Sequence, residues 1–277
     1  MFINLKKSKE QRAKSKELSL RAEKGFTLIE LSMVIVIIGL IVAGVVGGQS
    51  LVQQAKLRSV LKEFNDYTVA TNTFKLEYNN LPGDMPNAVD YWGQAAAGAS
   101  CKTTIGSGTQ TCNGDGNKRI SQYYANSNES FRYWQHLLMA GLVSGEYTGI
   151  ANSANVNDVV FGLNAPESVF SGAGWVASSN FGYIDGNWFG GNKSNIFYYG
   201  AKDGSNGSAQ APLLTPSQAY SLDNKIDDGM AGLGSLITWK QGGAVNPNCA
   251  TTNVEETAQY DISRSTVECS LVFRNMF

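Results

Sequence analysis

Residues 31–55 run for 25 positions without a formal charge, and the residue that opens onto this run is a carboxylate, Glu30. Between 31 and 48 only Ser32 breaks the apolar character, and about 18 such residues are enough for a helix to cross a bilayer. A carboxylate in such a segment costs roughly 2.5–3.5 kcal/mol on insertion scales, less toward the membrane boundary. Glu30 is therefore expected to serve a purpose that offsets this cost.

Charge gives the segment a direction. Residues 1–25 hold eight Lys/Arg (Lys6, Lys7, Lys9, Arg12, Lys14, Lys16, Arg21, Lys24) and three Glu (Glu10, Glu17, Glu23), a net +5. The whole chain is −1, so the remainder carries −6. A cationic stretch ahead of an apolar one stays in the cytoplasm, and the chain beyond the apolar run is delivered across the membrane. Two simpler readings fit less well. A secretory signal peptide has a shorter apolar core with a small-residue cleavage site behind it, and no such site stands cleanly after this run. A plain uncleaved anchor leaves Glu30 unexplained.

The roughly 200 residues beyond the long helix suffice for one soluble domain with a core of its own. The exported part is mildly acidic, so nothing in its charge suggests nucleic acid as a partner. Thirty glycines, frequent Ser, Asn and Thr, and many aromatics suit a loop-rich β domain rather than disorder. All four cysteines, Cys101, Cys112, Cys249 and Cys269, lie on the exported side, where an even count reads as disulfides. Four cysteines allow three connectivities. Short loops favour Cys101–Cys112 with Cys249–Cys269, each closure worth about 3 kcal/mol in the chain-entropy model. A zinc site is the alternative, but there is no Cys-x-x-Cys and His136 is the only histidine.

After the apolar run, Leu57, Val60, Leu61, Phe64, Thr68, Thr71, Phe74 and Tyr78 recur at three- and four-residue steps. The simplest reading is one continuous helix over 26–78, roughly 80 Å long at 1.5 Å per residue. Its first half, spanning the membrane at about 31–52, is apolar all round; its second half has one apolar stripe suited to a sheet. Residues 79–84 stop it, with Pro82-Gly83 placed for a turn. Pro86 opens a short helix bearing Val89 and Trp92. Residues 95–116 read as a loop, and 129–142 as a second helix with Phe131, Trp134, Leu138 and Leu142 on one side, capped from 126–128. From about 159 the chain reads as short strands: 159–161, 175–176, 182–184, 195–199, 236–239 and 266–273. In the last, Val267, Cys269, Leu271 and Phe273 share a face. Thr215-Pro216 starts a helix to about Ile226 that Asp227-Asp228-Gly229 ends.

The run Lys24-Gly25-Phe26-Thr27-Leu28-Ile29-Glu30-Leu31 resembles the prepilin motif of type IV pilins and of type II secretion and competence pseudopilins. The resemblance covers about residues 21–80. It implies an α+β, pilin-like fold: a long N-terminal helix packed on a C-terminal antiparallel sheet. It divides the chain into a basic leader (1–25) that is removed, the helix (26–78) and an exported, disulfide-bearing head (79–277). A prepilin peptidase would cut between Gly25 and Phe26 and methylate the Phe26 amine, and Glu30 would serve filament assembly. Partners implied are that peptidase, other pilin or pseudopilin subunits, an inner-membrane assembly platform and membrane lipid. The location implied is the bacterial inner membrane, N-terminus cytoplasmic and head periplasmic, and then a filament. Many members carry a proline within this helix where the present chain has Gly47, so weakening at Gly47-Gly48 is expected in place of a kink. The second cysteine pair resembles the C-terminal disulfide loop of many pilins.

Four features bear on chemistry. Asn113, Asp115 and Asn117 put oxygen side chains at alternate positions, as in a calcium loop, but Lys118 and Tyr124 stand where such a loop has glycine and glutamate; a polar turn is the plainer reading. Some pseudopilins use calcium, which makes Ca2+ the cofactor to consider. Asp223, Asp227 and Asp228 form a second acidic group at a helix end, where carboxylates oppose the dipole and invite Lys225 or a cation. His136 is the sole candidate general base, and no Ser or Cys nucleophile is placed to use it. Tyr123, Tyr124, Trp188, Phe189, Tyr198 and Tyr199 suit either a sugar-binding face or the core. The expected function is a non-enzymatic filament subunit. The alternative is a membrane-anchored binding module or enzyme whose helix is only a tether.

Overall fold

The structure is a computed structural model and describes residues 25–97, 100, 101, 103–105, 110–121, 129–152, 158–179, 189, 195–204, 207–239 and 248–274. The chain divides into two compact units, Met1–Gln53 and Gln54–Phe277. Helix α1 (Leu28–Tyr78) has 51 residues and begins in the first unit. There its apolar side chains, Ile35, Val36, Leu40 and Val46 among them, are exposed on every face. It is the one helix among the described residues long and apolar enough to cross a membrane. Gly47 and Gly48 do not interrupt it. Glycine costs about 1 kcal/mol against alanine in a helix but, unlike proline, keeps its N–H for the ladder.

In the second unit α1 buries a stripe that includes Leu57, Val60, Phe64, Thr71 and Phe74. The stripe faces a four-stranded antiparallel sheet of order β1-β2-β4-β3, with β1 at Ala173–Ser179, β2 at Asn195–Ala201, β3 at Leu236–Ile237 and β4 at Leu271–Arg274. The pairings Trp175↔Tyr199 and Phe197↔Phe273 put four aromatics on one face. Phe64 stacks on Phe273 with ring centroids 4.6 Å apart. Residues of the other face, Val176, Ile196, Tyr198 and Val272, are buried as well. The chain's last strand lies between β2 and β3, so the sheet closes only when residues near 272 arrive.

One carboxylate ties α1 to this sheet. Glu63 accepts hydrogen bonds from the Trp175 indole (2.8 Å), the Ser168 hydroxyl (2.7 Å) and the Val169 N–H (3.0 Å). Lys56, two turns earlier, lies over the Phe170 ring at 5.3 Å. The segment leading into β1 is thus gripped at two points by the helix.

Asn79, with φ of 53°, ends α1 in the left-handed conformation. Gly83 comes next with φ of 79°, and a Cβ there would meet the Glu129 carbonyl oxygen at 2.3 Å. The chain therefore passes flush against helix α3 (Glu129–Met139). Between them, α2 (Ala88–Trp92) starts after Asn87 rather than at Pro86; the Asn113 carboxamide accepts the Val89 N–H and holds its first turn. Helix α4 (Pro216–Ile226) has Thr215 as cap, with Gln218 completing the reciprocal pair of bonds.

Several expectations need correction. Helix α3 stops at Met139 and is not one-sided: Arg132, Gln135 and His136 are buried along with Phe131 and Trp134. The residues around Cys101 and Cys112 cover its polar side, and Arg132 donates to the carbonyls of Cys101 and Thr104. Residues 159–161 make no strand. The chain turns back at once, with the Asn164 side chain accepting the Val160 N–H and Phe161 bridging to Ala165. The strand expected over 266–273 is confined to β4, and Val267 is exposed while Cys269 is buried. The strand at 182–184, the cap at 126–128, and Tyr123, Tyr124 and Trp188 lie outside the described residues. Disulfides join Cys101 to Cys112 and Cys249 to Cys269.

The Glu63 junction is open to test. Glu63→Ala leaves the fully buried Trp175 indole N–H without its acceptor, a loss of about 1–3 kcal/mol. Urea unfolding should show a lowered midpoint with an unchanged slope; a midpoint at the parental value would mean that the junction adds nothing.

Candidate functional site

Residues 25–27 precede α1 in non-helical conformation and are exposed, with Phe26 at 86%. The Gly25–Phe26 bond thus lies in accessible chain one step ahead of the helix. Thr27 and Glu30 form a reciprocal cap. The Thr27 hydroxyl oxygen accepts the Glu30 N–H at 3.2 Å, and Glu30 Oε2 accepts both the Thr27 N–H and the Thr27 hydroxyl at 2.8 Å. Among the described residues Glu30 Oε1 has no hydrogen-bond partner. The helix runs on from this cap, the Leu31 N–H donating to the Thr27 carbonyl. Sequence reasoning passes over Thr27, although Thr27-Leu28-Ile29-Glu30 spells the capping-box pattern.

In the head, carboxylates gather at two places. Asp84, Asp115 and Glu129 bring one oxygen each within 4.8 Å of one another. Of the three residues considered for calcium in this loop, only Asp115 is among them. Asn113 is occupied with α2, and the Asn117 carboxamide donates to Asp115 at 2.7 Å. Asp84 and Glu129 come from distant positions that no local pattern joins to Asp115. Loop N–H groups fill much of the cluster: Asn117 and Lys118 donate to Asp84, Asp115 and Ser121 to Glu129. Gly114 permits this, because a Cβ there would sit 2.3 Å from the Asp84 carbonyl carbon. Asp84 also lines a surface cavity of about 410 Å³ with Lys75 and Lys118. The donors are hard oxygens of the kind that calcium takes.

Asp223, Asp227 and Asp228 meet the same distance criterion, but each has local work. Buried Asp223 accepts the Tyr260 hydroxyl at 2.9 Å; Asp227 accepts the N–H groups of Ser235 and Leu236; Asp228 accepts that of Met230. His136 is fully buried, and burial, with the Arg132 charge, pushes its pKa down to about 3. Its Nδ1 accepts the Gly83 N–H at 2.9 Å, which leaves Nε2 protonated toward Thr111 at 3.0 Å. Stacked on Phe74 and tilted against Trp92, it is a neutral packing group without access to a substrate. Phe189, Tyr198 and Tyr199 are buried, so they contribute to the core and not to a sugar-binding face.

Two carboxyls carry a pH dependence. Asp84 is raised to about 7, by burial first and then by the Glu129 charge; Asp223 is raised to about 7, chiefly by burial. The folded head therefore holds these protons more tightly than the unfolded chain. The stability that these two carboxyls contribute is full below about pH 4 and is lost as pH climbs through about 7. Thermal unfolding at low ionic strength should show Tm falling over that window, and Asp84→Asn should flatten the slope. Millimolar calcium that restores Tm above pH 7 in the parent, but not in Asp84→Asn, would mark the first cluster as a cation site. An unchanged Tm would count against calcium there.

Residues 20–46 match the family model described as the prokaryotic N-terminal methylation motif. Comparison with curated proteins and with solved structures finds no match for the chain. The matched stretch contains Gly25, Phe26, Thr27 and Glu30 and the start of the apolar helix. The chain thus bears the type IV pilin and pseudopilin signature, which marks a pilin-like substrate of a prepilin peptidase with a membrane-anchoring helix.

Proposed function

We propose that the protein is a structural subunit, a specialised pilin or pseudopilin, of a type IV pilus or type II secretion pseudopilus. The observation that carries this reading is the methylation motif over residues 20–46, with Gly25 and Phe26 exposed ahead of α1 and Glu30 in the helix's first turn. The leader stays in the cytoplasm and the head is exported to the periplasm. Cleavage after Gly25 frees the Phe26 amine, which the peptidase methylates without removing its charge. In the filament, Glu30 of one subunit pairs with the Phe26 ammonium of the next. Either group alone is costly in an apolar helix bundle; paired, they offset that cost and set axial register. The large, loop-rich head suits a specialised subunit rather than a compact major one.

Calcium, if it binds the head, is a structural ion in this reading. The tethered-module alternative draws on the same anchor but requires a catalytic or binding site in the head. His136, the sole histidine, is buried and cannot act as a surface base.

Mass spectrometry of the N-terminal peptide should find a chain starting at N-methylated Phe26, and Gly25→Val should block the cut. Glu30→Leu should insert and be cleaved normally yet enter sheared filaments poorly, since the neighbour's ammonium loses its partner. Filament yield at the parental level, relative to membrane-fraction protein, would turn the assignment toward a tethered module.

A further inference from the structure

We propose that the Cys101–Cys112 disulfide is a thiol–disulfide exchange site, at which an external thiolate attacks Cys101 Sγ and Cys112 leaves as a thiolate beside the buried Arg132 guanidinium. The two sulfurs of this bond differ in what they touch. Arg132 Nη2 stands 3.5 Å from Cys112 Sγ. The Ala96 carbonyl oxygen stands 2.7 Å from Cys101 Sγ and 3.8 Å from Cys112 Sγ. A cation stabilises a thiolate and a carbonyl oxygen repels it, so negative charge is favoured on Cys112 and opposed on Cys101. Access follows the same order. Cys101 is 7% exposed and Cys112 1%, while Cys249 and Cys269 are fully buried.

Arg132 is fully buried and meets no carboxylate among the described residues. Its Nη1 donates to the Gln135 side-chain oxygen at 2.6 Å and its Nη2 to the carbonyls of Cys101 and Thr104; Nε has no partner there. Residues 91–112 contain no Asp or Glu. Burial lowers the Arg132 pKa to about 10, so the group is charged at neutral pH. A buried charge with only neutral partners is costly, and a thiolate on Cys112 supplies the missing anion. The Cys249–Cys269 sulfurs receive no guanidinium or ammonium donor among the described residues.

The exchange balances with a dithiol as reductant. One thiolate of the reagent bonds to Cys101 Sγ as the Cys101–Cys112 bond breaks, and Cys112 takes the electron pair. The reagent's second thiolate then attacks the reagent sulfur of the mixed disulfide. Cys101 leaves and takes up a proton, and the reagent departs as a disulfide, having given two electrons. Opening the bond releases the segment that covers the polar side of α3, where Thr111 donates to Gln135 at 2.8 Å. On the exported side the fitting partner is a protein dithiol.

The test uses the full-length chain, purified in detergent. Dithiothreitol is added, samples are quenched with iodoacetamide at intervals, and peptide mapping follows each cysteine. Cys101 and Cys112 should be labelled at least about tenfold faster than Cys249 and Cys269, as a better leaving thiolate implies. Glutathione as a monothiol probe should leave its adduct on Cys101 and the alkyl group on Cys112. In the reduced chain, alkylation of Cys112 should have a pH midpoint at least about one unit below that of Cys101. Concentrated urea should abolish that difference, which separates an effect of the fold from one of local sequence. Arg132→Gln should bring the two midpoints together while the Cys249–Cys269 opening rate stays at the parental value. If Arg132→Gln does not fold, the parental midpoints with and without urea decide. Equal rates for the two bonds, an adduct on Cys112, or equal midpoints in the folded parent each overturn the proposal.

Discussion

A single helix in this protein must suit two solvents. Lipid offers no hydrogen-bond partners, so the apolar run has to satisfy its backbone internally, and a helix is the one local structure that does so. Water and a protein core then act on the same helix beyond Gln53. There, one stripe has to be apolar and the rest polar. The residues change accordingly, from exposed Ile, Val and Leu on all sides to the buried series Leu57, Val60, Phe64 and Phe74. The head is organised around that stripe. Phe64 meets Phe273, Phe74 meets His136, and Tyr67 meets Trp134 edge-on at 4.9 Å.

The head has little regular structure with which to pair its backbone. Carboxylates and carboxamides do much of that work. Glu63 takes the Val169 N–H, Asp84 those of Asn117 and Lys118, Glu129 those of Asp115 and Ser121, and Asp227 that of Leu236. Asn195 adds that of Ile120, and Asn164 that of Val160. A loop-rich domain built this way satisfies its buried N–H groups without long strands. The consequence is crowding of like charge, most evident where Asp84, Asp115 and Glu129 converge. The disulfides act beside these contacts: the Cys101–Cys112 bond lies next to the Arg132 guanidinium, which reaches Cys112 Sγ at 3.5 Å.

Much of the N-terminal half was legible in the sequence because its physics is local. Charge asymmetry, an apolar run and three- and four-residue periodicity report on neighbours along the chain. They foretold α1 to within two residues at its start and to Tyr78 at its end. Thr215 as a helix cap was equally legible, since a cap concerns residues three apart. What failed was what depends on distant partners. The one-sided reading of α3 missed that the residues around Cys101 and Cys112 would bury Arg132, Gln135 and His136. The strand at 159–161 gave way to a turn held by Asn164. The strand expected over 266–273 shortened to β4, because Cys269 pairs with Leu214 outside the sheet and Val267 is left exposed.

By itself, the sequence determined the motif, the apolar helix and the stripe on its second half, since each rests on chemistry between near neighbours. Tertiary structure alone decided that Glu63 would bind Trp175, that Asp84 and Glu129 would join Asp115 while Asn113 went to α2, and that the sole histidine would be a buried packing group. The physical reason is the same in each case. A polar side chain's role is set by which unpaired donors the fold brings within about 3 Å of it, and those donors come from positions tens of residues away.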